Sequence, residues 1–264
     1  MVHCLRVLRC LLLASALLLS PTLRAQPTVE VRYMEGVLRG FLVLRSMNGD
    51  VLARGDLSQV ARAERVTKHL VLRFKDGSLY DETVHFSQQG EFRVLEYRLV
   101  QEGPTFKTPM EMRIDRSKGE VLVRYTDEDG NEKTETERLE LPPDVMNGMI
   151  PILLKNIPAG ANQTAVSFVA ATPKPRLVKL VISPEGEVKT LAGGASHKAT
   201  QYRIRVEIGG IRGMLAPLMG KDPEDSRAWV IEGDAPAFLR FEGPLFMDGP
   251  VWRIDPAGAE LQGS

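Results

Sequence analysis

The chain has 264 residues with 34 basic and 34 acidic side chains, so its formal net charge is zero. Neither half of the chain is strongly basic, which argues against nucleic acid as a partner. Both cysteines, Cys4 and Cys10, lie in the first ten residues. The remainder of the chain therefore has no disulfide, thiol nucleophile or thiolate metal site.

Residues 1–25 have the pattern of a secretory signal peptide. A basic start with Arg6 and Arg9 precedes the apolar run LLLASALLLS, which is too short to span a bilayer as a helix. Ala25 offers a small residue at the cleavage point, and a retained membrane anchor is the alternative. We predict cleavage near Ala25 and a periplasmic or secreted mature chain with no transmembrane segment. Its net charge is about −3 after removal of three arginines.

From Gly36 onward, turn signals recur about every ten residues between runs that alternate like β-strands. Asn-Gly and Asp-Gly pairs suit these turns because both residue types tolerate positive φ. In MEMRID, residues 110–115, apolar and charged side chains alternate, which is typical of an antiparallel sheet with one buried face. EKTETERLE is polar on both faces, which indicates an edge strand or a protruding hairpin.

Residues 141–158, LPPDVMNGMIPILLKNIP, interrupt the strand pattern. With Asn147 as the N-cap, Pro151 falls at the end of the first turn, where N–H groups have no intrahelical partner, and Pro158 ends the helix. We predict one amphipathic helix over about residues 147–157. A helix of this length is marginal in water, so its apolar face must be covered. That face has the i, i+3, i+4, i+7 spacing of Met146, Met149, Ile150, Leu153, Leu154 and Ile157.

The strand pattern resumes after the helix, most clearly in TQYRIRVEI, residues 200–208. The predicted fold is mainly β: a meandering antiparallel sheet curved into a half-barrel or sandwich, with one central amphipathic helix. We expect a single domain over residues 26–264. Its two sub-sheets, at about 36–140 and 163–256, are joined by the helix.

A second apolar segment, GGIRGMLAPLMGKDPEDS at 209–226, is rich in glycine. Apolar loops are unusual because loops normally face water, so this segment either enters the core or covers a ligand. Methionine is flexible and polarisable, which suits both an irregular core and a promiscuous apolar site. The candidate ligand-binding residues are Met146, Met149, Ile150, Leu153, Met214, Leu218 and Met219.

The chain contains no G-x-S-x-G, S-x-x-K or H-E-x-x-H motif. We therefore assign no catalytic residue and no cofactor, and enzymatic activity stays an open but less favoured possibility. His69 and His85 flank the turn at residues 75–78. They share a sheet face only if that turn has three residues rather than two. No third ligand is evident, so no metal site is assigned.

The segments GPTFKTPMEMRID, VAATPKPRLVKLVISPEG and GPVWRI resemble a group of exported bacterial β-rich proteins of unknown function. The order of elements is also similar to the lipoprotein-carrier type of periplasmic protein. That resemblance implies an unclosed barrel with a helix in its concavity, and it identifies no functional residue.

Two functions remain open from the sequence. The first is a non-catalytic protein that binds an apolar or lipid-like ligand in the concavity of the sheet. The alternative is a structural or interaction protein of the cell envelope, which has a protein partner and no small-molecule ligand. A continuous apolar cavity of several hundred Å³ favours the first function. Dense packing beneath the helix favours the second.

Overall fold

The structure is a computed structural model, which describes residues 29–158, 160–192, 194–207, 224–257 and 260–261. Within these ranges it has fifteen strands and one helix. The strands are β1 Leu38–Ser46, β2 Val51–Arg62, β3 Arg65–Phe74, β4 Leu79–Gln89, β5 Glu91–Glu102, β6 Met110–Asp115, β7 Glu120–Thr126, β8 Glu132–Arg138, β9 Thr164–Ala170, β10 Arg176–Ala192, β11 Ala195–Glu207, β12 Ser226–Ile231, β13 Ala237–Gly243, β14 Trp252–Pro256 and β15 Glu260–Leu261. The helix is α1, Ile150–Asn156.

All fifteen strands belong to one sheet. The order is β15-β10-β11-β12-β13-β14-β1-β2-β3-β4-β5-β6-β7-β8, and β9 also pairs with β10. β1 pairs with β14, so strands from before and after the helix share a continuous hydrogen-bonded sheet. Every pair of neighbouring strands is antiparallel. The predicted antiparallel meander with one central helix is confirmed for the described part of the chain.

The sheet curls around a common interior, because side chains from β1–β7, β9–β12 and β14 meet in one hydrophobic cluster. The alternation read in MEMRID is observed: Met110, Met112 and Ile114 are buried. β8 is the last strand in the order, and most of its residues are exposed, as expected for a strand that is polar on both faces. The segment after β8 pairs with β9 at an isolated parallel bridge between Val145 and Ser167.

The helix is shorter than predicted and begins at Ile150. Asn147 is not its N-cap. Instead, the Asn147 side chain accepts a hydrogen bond from the Val169 N–H and donates one to the Val169 carbonyl, both at 2.9 Å. The amide thereby continues the pairing of β9, and Met149 becomes the N-cap without a side-chain hydrogen bond. Pro151 occupies the first helical turn, where no donor is required.

Two groups of described residues lie at opposite ends of β3 and β4. At one end, Phe74, Phe106, Phe246 and Trp252 form a ring cluster with centroid separations of 5.3–5.7 Å. At the other end lies the N-terminal strap, which we define as residues 29–36. It begins beside the β4–β5 turn, where the Val31 N–H donates to the Gly90 carbonyl. It then passes the C-terminal end of α1.

Candidate functional site

The predicted helix residues meet in the centre of the fold. Met146, Met149 and Leu153 are each 0% exposed, and Ile150 is half-buried against the same cluster. Met214, Leu218 and Met219 lie outside the described residues. The helix half of the predicted ligand site therefore packs into the hydrophobic cluster of the sheet. Binding of a ligand at this site stays a prediction.

A buried polar cluster lies beside this core, and we name it the Lys68 cluster: Lys68, Glu82, Tyr80, Tyr97 and the carbonyl of Gly148. The Lys68 ammonium donates to Glu82 Oε1 and to the Gly148 carbonyl, each at 2.9 Å. The hydroxyls of Tyr80 and Tyr97 donate to Glu82 Oε2 at 3.1 and 3.2 Å. Both oxygens of the Glu82 carboxylate are thus satisfied.

The surroundings keep both tyrosines of the Lys68 cluster neutral. Burial, and secondly the charge of the Glu82 carboxylate, raise the pKa of Tyr80 and of Tyr97 well above the ordinary value of 10.0. Each hydroxyl therefore remains a hydrogen-bond donor. The two hydroxyls and the Lys68 ammonium thus fix the position of the Glu82 carboxylate, as in a structural clamp.

Gly148 joins the Lys68 cluster to the helix. Its φ is +73°, and a Cβ at this position would lie 3.1 Å from the Tyr97 ring and 3.2 Å from Val84. Glycine permits this left-handed conformation and the close approach of the backbone to the sheet. The position of the Gly148 carbonyl, and with it the Lys68 contact, depends on that approach.

The N-terminal strap binds the other end of the helix. The N–H groups of Arg32 and Tyr33 both donate to Asn156 Oδ1 at 2.8 Å. The Glu35 carboxylate is buried, pairs with Lys155 Nζ at 2.5 Å and accepts a hydrogen bond from Gln59 at 2.8 Å. The helix is consequently held at its start by the Lys68 cluster and at its end by the strap.

The two histidines lie on the same outer face of the sheet. Phe74 donates to the Ser78 carbonyl, which leaves a three-residue turn between β3 and β4. His69 is 2.9 Å from Asp81, and His85 Nδ1 is 2.9 Å from the Thr67 hydroxyl. Within the described ranges, no group of three or more His, Cys, Asp or Glu side chains is arranged to hold a metal ion.

Two shallow grooves on the outer surface are lined by described residues, and neither is lined by the helix. The first has a volume of about 610 Å³ and the second about 540 Å³. Around the first lie Val60, Arg62, Arg65, Val66, Thr67, His85, Phe86, Leu95 and Glu96. Around the second lie Phe41, Leu42, Val43, Arg45, Val51, Arg54, Gly55, Asp56 and Ala257.

Sequence reasoning missed the Lys68 cluster, although the alternation contained a signal for it. In β3 the buried positions include Val66, Lys68 and Leu72, and in β4 they include Tyr80, Glu82 and Val84. A charged residue in the buried phase of each neighbouring strand indicates an internal ion pair, because buried charges are normally paired. The N-terminal strap has no comparable pattern.

Comparisons with known proteins identify no family. No protein-family model matches the chain, and no curated protein matches it. Among solved structures, the fold is similar to a β-barrel-like protein of domain of unknown function DUF1849 from Brucella abortus. The two chains are 10% identical with a TM-score of 0.46, over 86% of this chain and 98% of the other. In the described part of this chain, no helix has the length and apolar character needed to cross a membrane.

Proposed function

We propose that the protein is a non-catalytic interaction protein of the cell envelope. Its interior is filled by its own side chains, and its outer surface binds the partner. One observation carries the proposal. Met146, Met149 and Leu153 are 0% exposed and pack in the hydrophobic cluster inside the sheet, where the sequence predicts an internal ligand. This dense packing beneath the helix favours the interaction function over the ligand-binding function. The partner surface is then the outside of the sheet, where both grooves open.

The buried polar groups support a filled interior. Every buried side-chain nitrogen or oxygen in the described residues has a hydrogen-bond partner. An empty binding site for a polar ligand commonly contains a donor or acceptor that has no partner until the ligand binds. An unsatisfied buried group of this kind is costly, so it is recognisable in a structure. Here Lys68, Glu82, Glu35 and Lys155 are all paired with one another or with backbone.

The proposed location follows from residues 1–25, which precede the described structure. Cleavage after Ala25 would leave three residues before the strap begins at Val29. Protein recovered from the extracytoplasmic fraction of its own host should begin at Gln26, as measured by N-terminal sequencing. Exported protein that begins at Met1 would contradict the proposed cleavage.

Binding of an apolar or lipid-like ligand is a second candidate, favoured by one specific contact. Lys68 donates to the carbonyl of Gly148 at the start of the helix segment. If that segment lifted, the ammonium group would be free to donate to the carbonyl oxygen of an acyl ester or amide. The flexible side chains of Met146 and Met149 would line the space beside it.

Native mass spectrometry of protein purified from its own envelope separates the two candidates. The protein is kept in a detergent-free buffer and desolvated gently. For an interaction protein with a filled interior, we expect the mass of the mature polypeptide alone. A retained mass of several hundred daltons that disappears on unfolding would overturn the filled interior. The unfolded sample of the same preparation is the control for covalent modification.

A further inference from the structure

The outward-facing side chains of β1–β3 form a surface that we name the basic face. Outward positions follow from the register, in which Phe41 lies opposite Asp56 and Asp56 lies opposite Val71. Six arginines and one aspartate share this face, although the whole chain has no net charge. The arginines of the basic face are Arg39, Arg45, Arg54, Arg62, Arg65 and Arg73.

Two pairs of these arginines face each other across β2 and β3. Arg54 lies opposite Arg73, and Arg62 lies opposite Arg65. Like charges directly opposite one another on a sheet are destabilising, so the fold gains nothing from this arrangement. The repulsion within such a pair of arginines is relieved when an anionic partner neutralises both charges.

Most of the arginines have no carboxylate partner. Arg73 pairs with Asp56 at 2.8 Å. In the described ranges, no ion pair within 4.0 Å involves Arg39, Arg54, Arg62 or Arg65. On the other strands most exposed arginines are paired: Glu111, for example, lies within 4.0 Å of three arginines. The basic face therefore differs from an ordinary solvated face with cross-strand pairs.

Large apolar side chains stand among and beside these arginines. Phe41 is 62% exposed and Val60 is 46% exposed on the basic face itself, while Val37 at 79% and Met34 at 64% lie just before β1. Exposed apolar groups of this size in one region mark an interaction surface. Arginine mixed with exposed phenylalanine, valine and methionine matches an interface that is anionic at its surface and apolar below it.

The two grooves also lie on this face. The first contains Arg62 and Arg65, and the second contains Arg45 and Arg54. Each groove thus presents two guanidinium groups, which bind phosphate oxygens in a bidentate manner. Two anionic headgroups could be held side by side while Phe41 and Val60 contact the acyl region.

We propose that the basic face docks the protein on an anionic lipid bilayer surface. The proposal rests on the proposed interaction function and names its partner. Charge complementarity selects this partner over an apolar protein surface, and the exposed phenylalanine, valine and methionine select it over a purely polar polyanion. The acidic β7–β8 turn, with Asp127, Glu128 and Asp129, is separated from the basic face by β4–β6 in the strand order.

Vesicle sedimentation tests this docking surface with mature protein from residue 26 onward. Protein should sediment with vesicles of phosphatidylglycerol and phosphatidylcholine, and not with phosphatidylcholine alone. Binding should weaken as salt rises, because screening acts on exposed charges. The variant Arg54→Glu/Arg65→Glu should lower the apparent affinity by more than about tenfold, since several surface charges act together. Phe41→Ser should weaken binding without removing its salt dependence.

The matched control reverses two exposed charges outside the basic face, Lys198→Glu/Arg205→Glu on β11, and should bind as wild type does. Circular dichroism shows whether each variant is folded. Absence of vesicle binding by folded wild-type protein, or equal loss in the control variant, overturns the docking proposal.

A photo-crosslinker in place of Phe41 distinguishes failure of the bilayer-docking proposal from failure of the proposed interaction function. Crosslinking in the host to lipid supports the bilayer partner. A discrete crosslinked protein band would support the proposed interaction function and contradict docking on a bilayer. If neither lipid nor protein is captured, and vesicles do not bind, both proposals fail.

Discussion

Replacing Leu153 with alanine should lower the free energy of unfolding by about 2–5 kcal/mol, the range for emptying a buried leucine site. Leu153 is 0% exposed, and it lies in the middle of a seven-residue helix that contacts β12 and β13. The helix is anchored at its start by the Lys68 cluster and at its end by the strap, so the cavity cannot easily collapse. We therefore expect a value in the upper half of that range, measured by urea denaturation.

Leu177→Ala is the matched control, because the same side chain is 37% exposed on β10. Its effect on the denaturation midpoint should be much smaller than that of Leu153→Ala. Equal midpoints for Leu153→Ala and wild type would show that the helix does not pack inside the sheet. The filled interior, on which the proposed function depends, would then be wrong.

The β-sheet was predictable because its signals are local. Turn residues and period-two alternation depend only on neighbours in the chain, and both survive in the fold. In β6, Met112 and Ile114 are buried while Arg113 between them is exposed. A strand with one buried face needs no information about its partner to be recognised.

The helix boundary was less predictable because a distant strand decides it. Asn147 is a favoured N-cap residue on local grounds. In the fold its amide makes both hydrogen bonds with Val169 instead. Satisfying two buried backbone groups of β9 outweighs one capping bond, so the helix begins only after Gly148 has turned the chain.

The candidate site required the register, which sequence alone left open. The three-residue turn before Ser78 decides that Lys68 pairs opposite Val84 and lies next to Glu82 within the interior. The same turn places His69 and His85 together outside. The arginines that face each other on the basic face are recognised only once β2 and β3 are aligned, because Arg54 and Arg73 are distant along the chain.

Lys68→Met should destabilise the protein by about 3–5 kcal/mol, because removing one partner of a buried ion pair leaves an uncompensated charge. The side chains of Lys68 and Glu82 are only 7% and 9% exposed. The substitution also removes the donor to the Gly148 carbonyl, which loosens the start of the helix segment. Urea denaturation at neutral pH measures the loss, and the exposed pair Lys198–Glu187 provides a control in which Lys198→Met leaves the midpoint unchanged.

The double variant Lys68→Met/Glu82→Gln identifies the cause of that loss. Glutamine keeps an acceptor for Tyr80 and Tyr97 but carries no charge, so it removes the unpaired carboxylate that Lys68→Met leaves behind. We expect the two substitutions to be non-additive, with the double variant more stable than Lys68→Met alone by about 1–3 kcal/mol. Additive losses would mean that Lys68 acts mainly through the Gly148 carbonyl. In that event, the clamp on the helix, rather than charge compensation within the sheet, is the reason for a lysine in the interior.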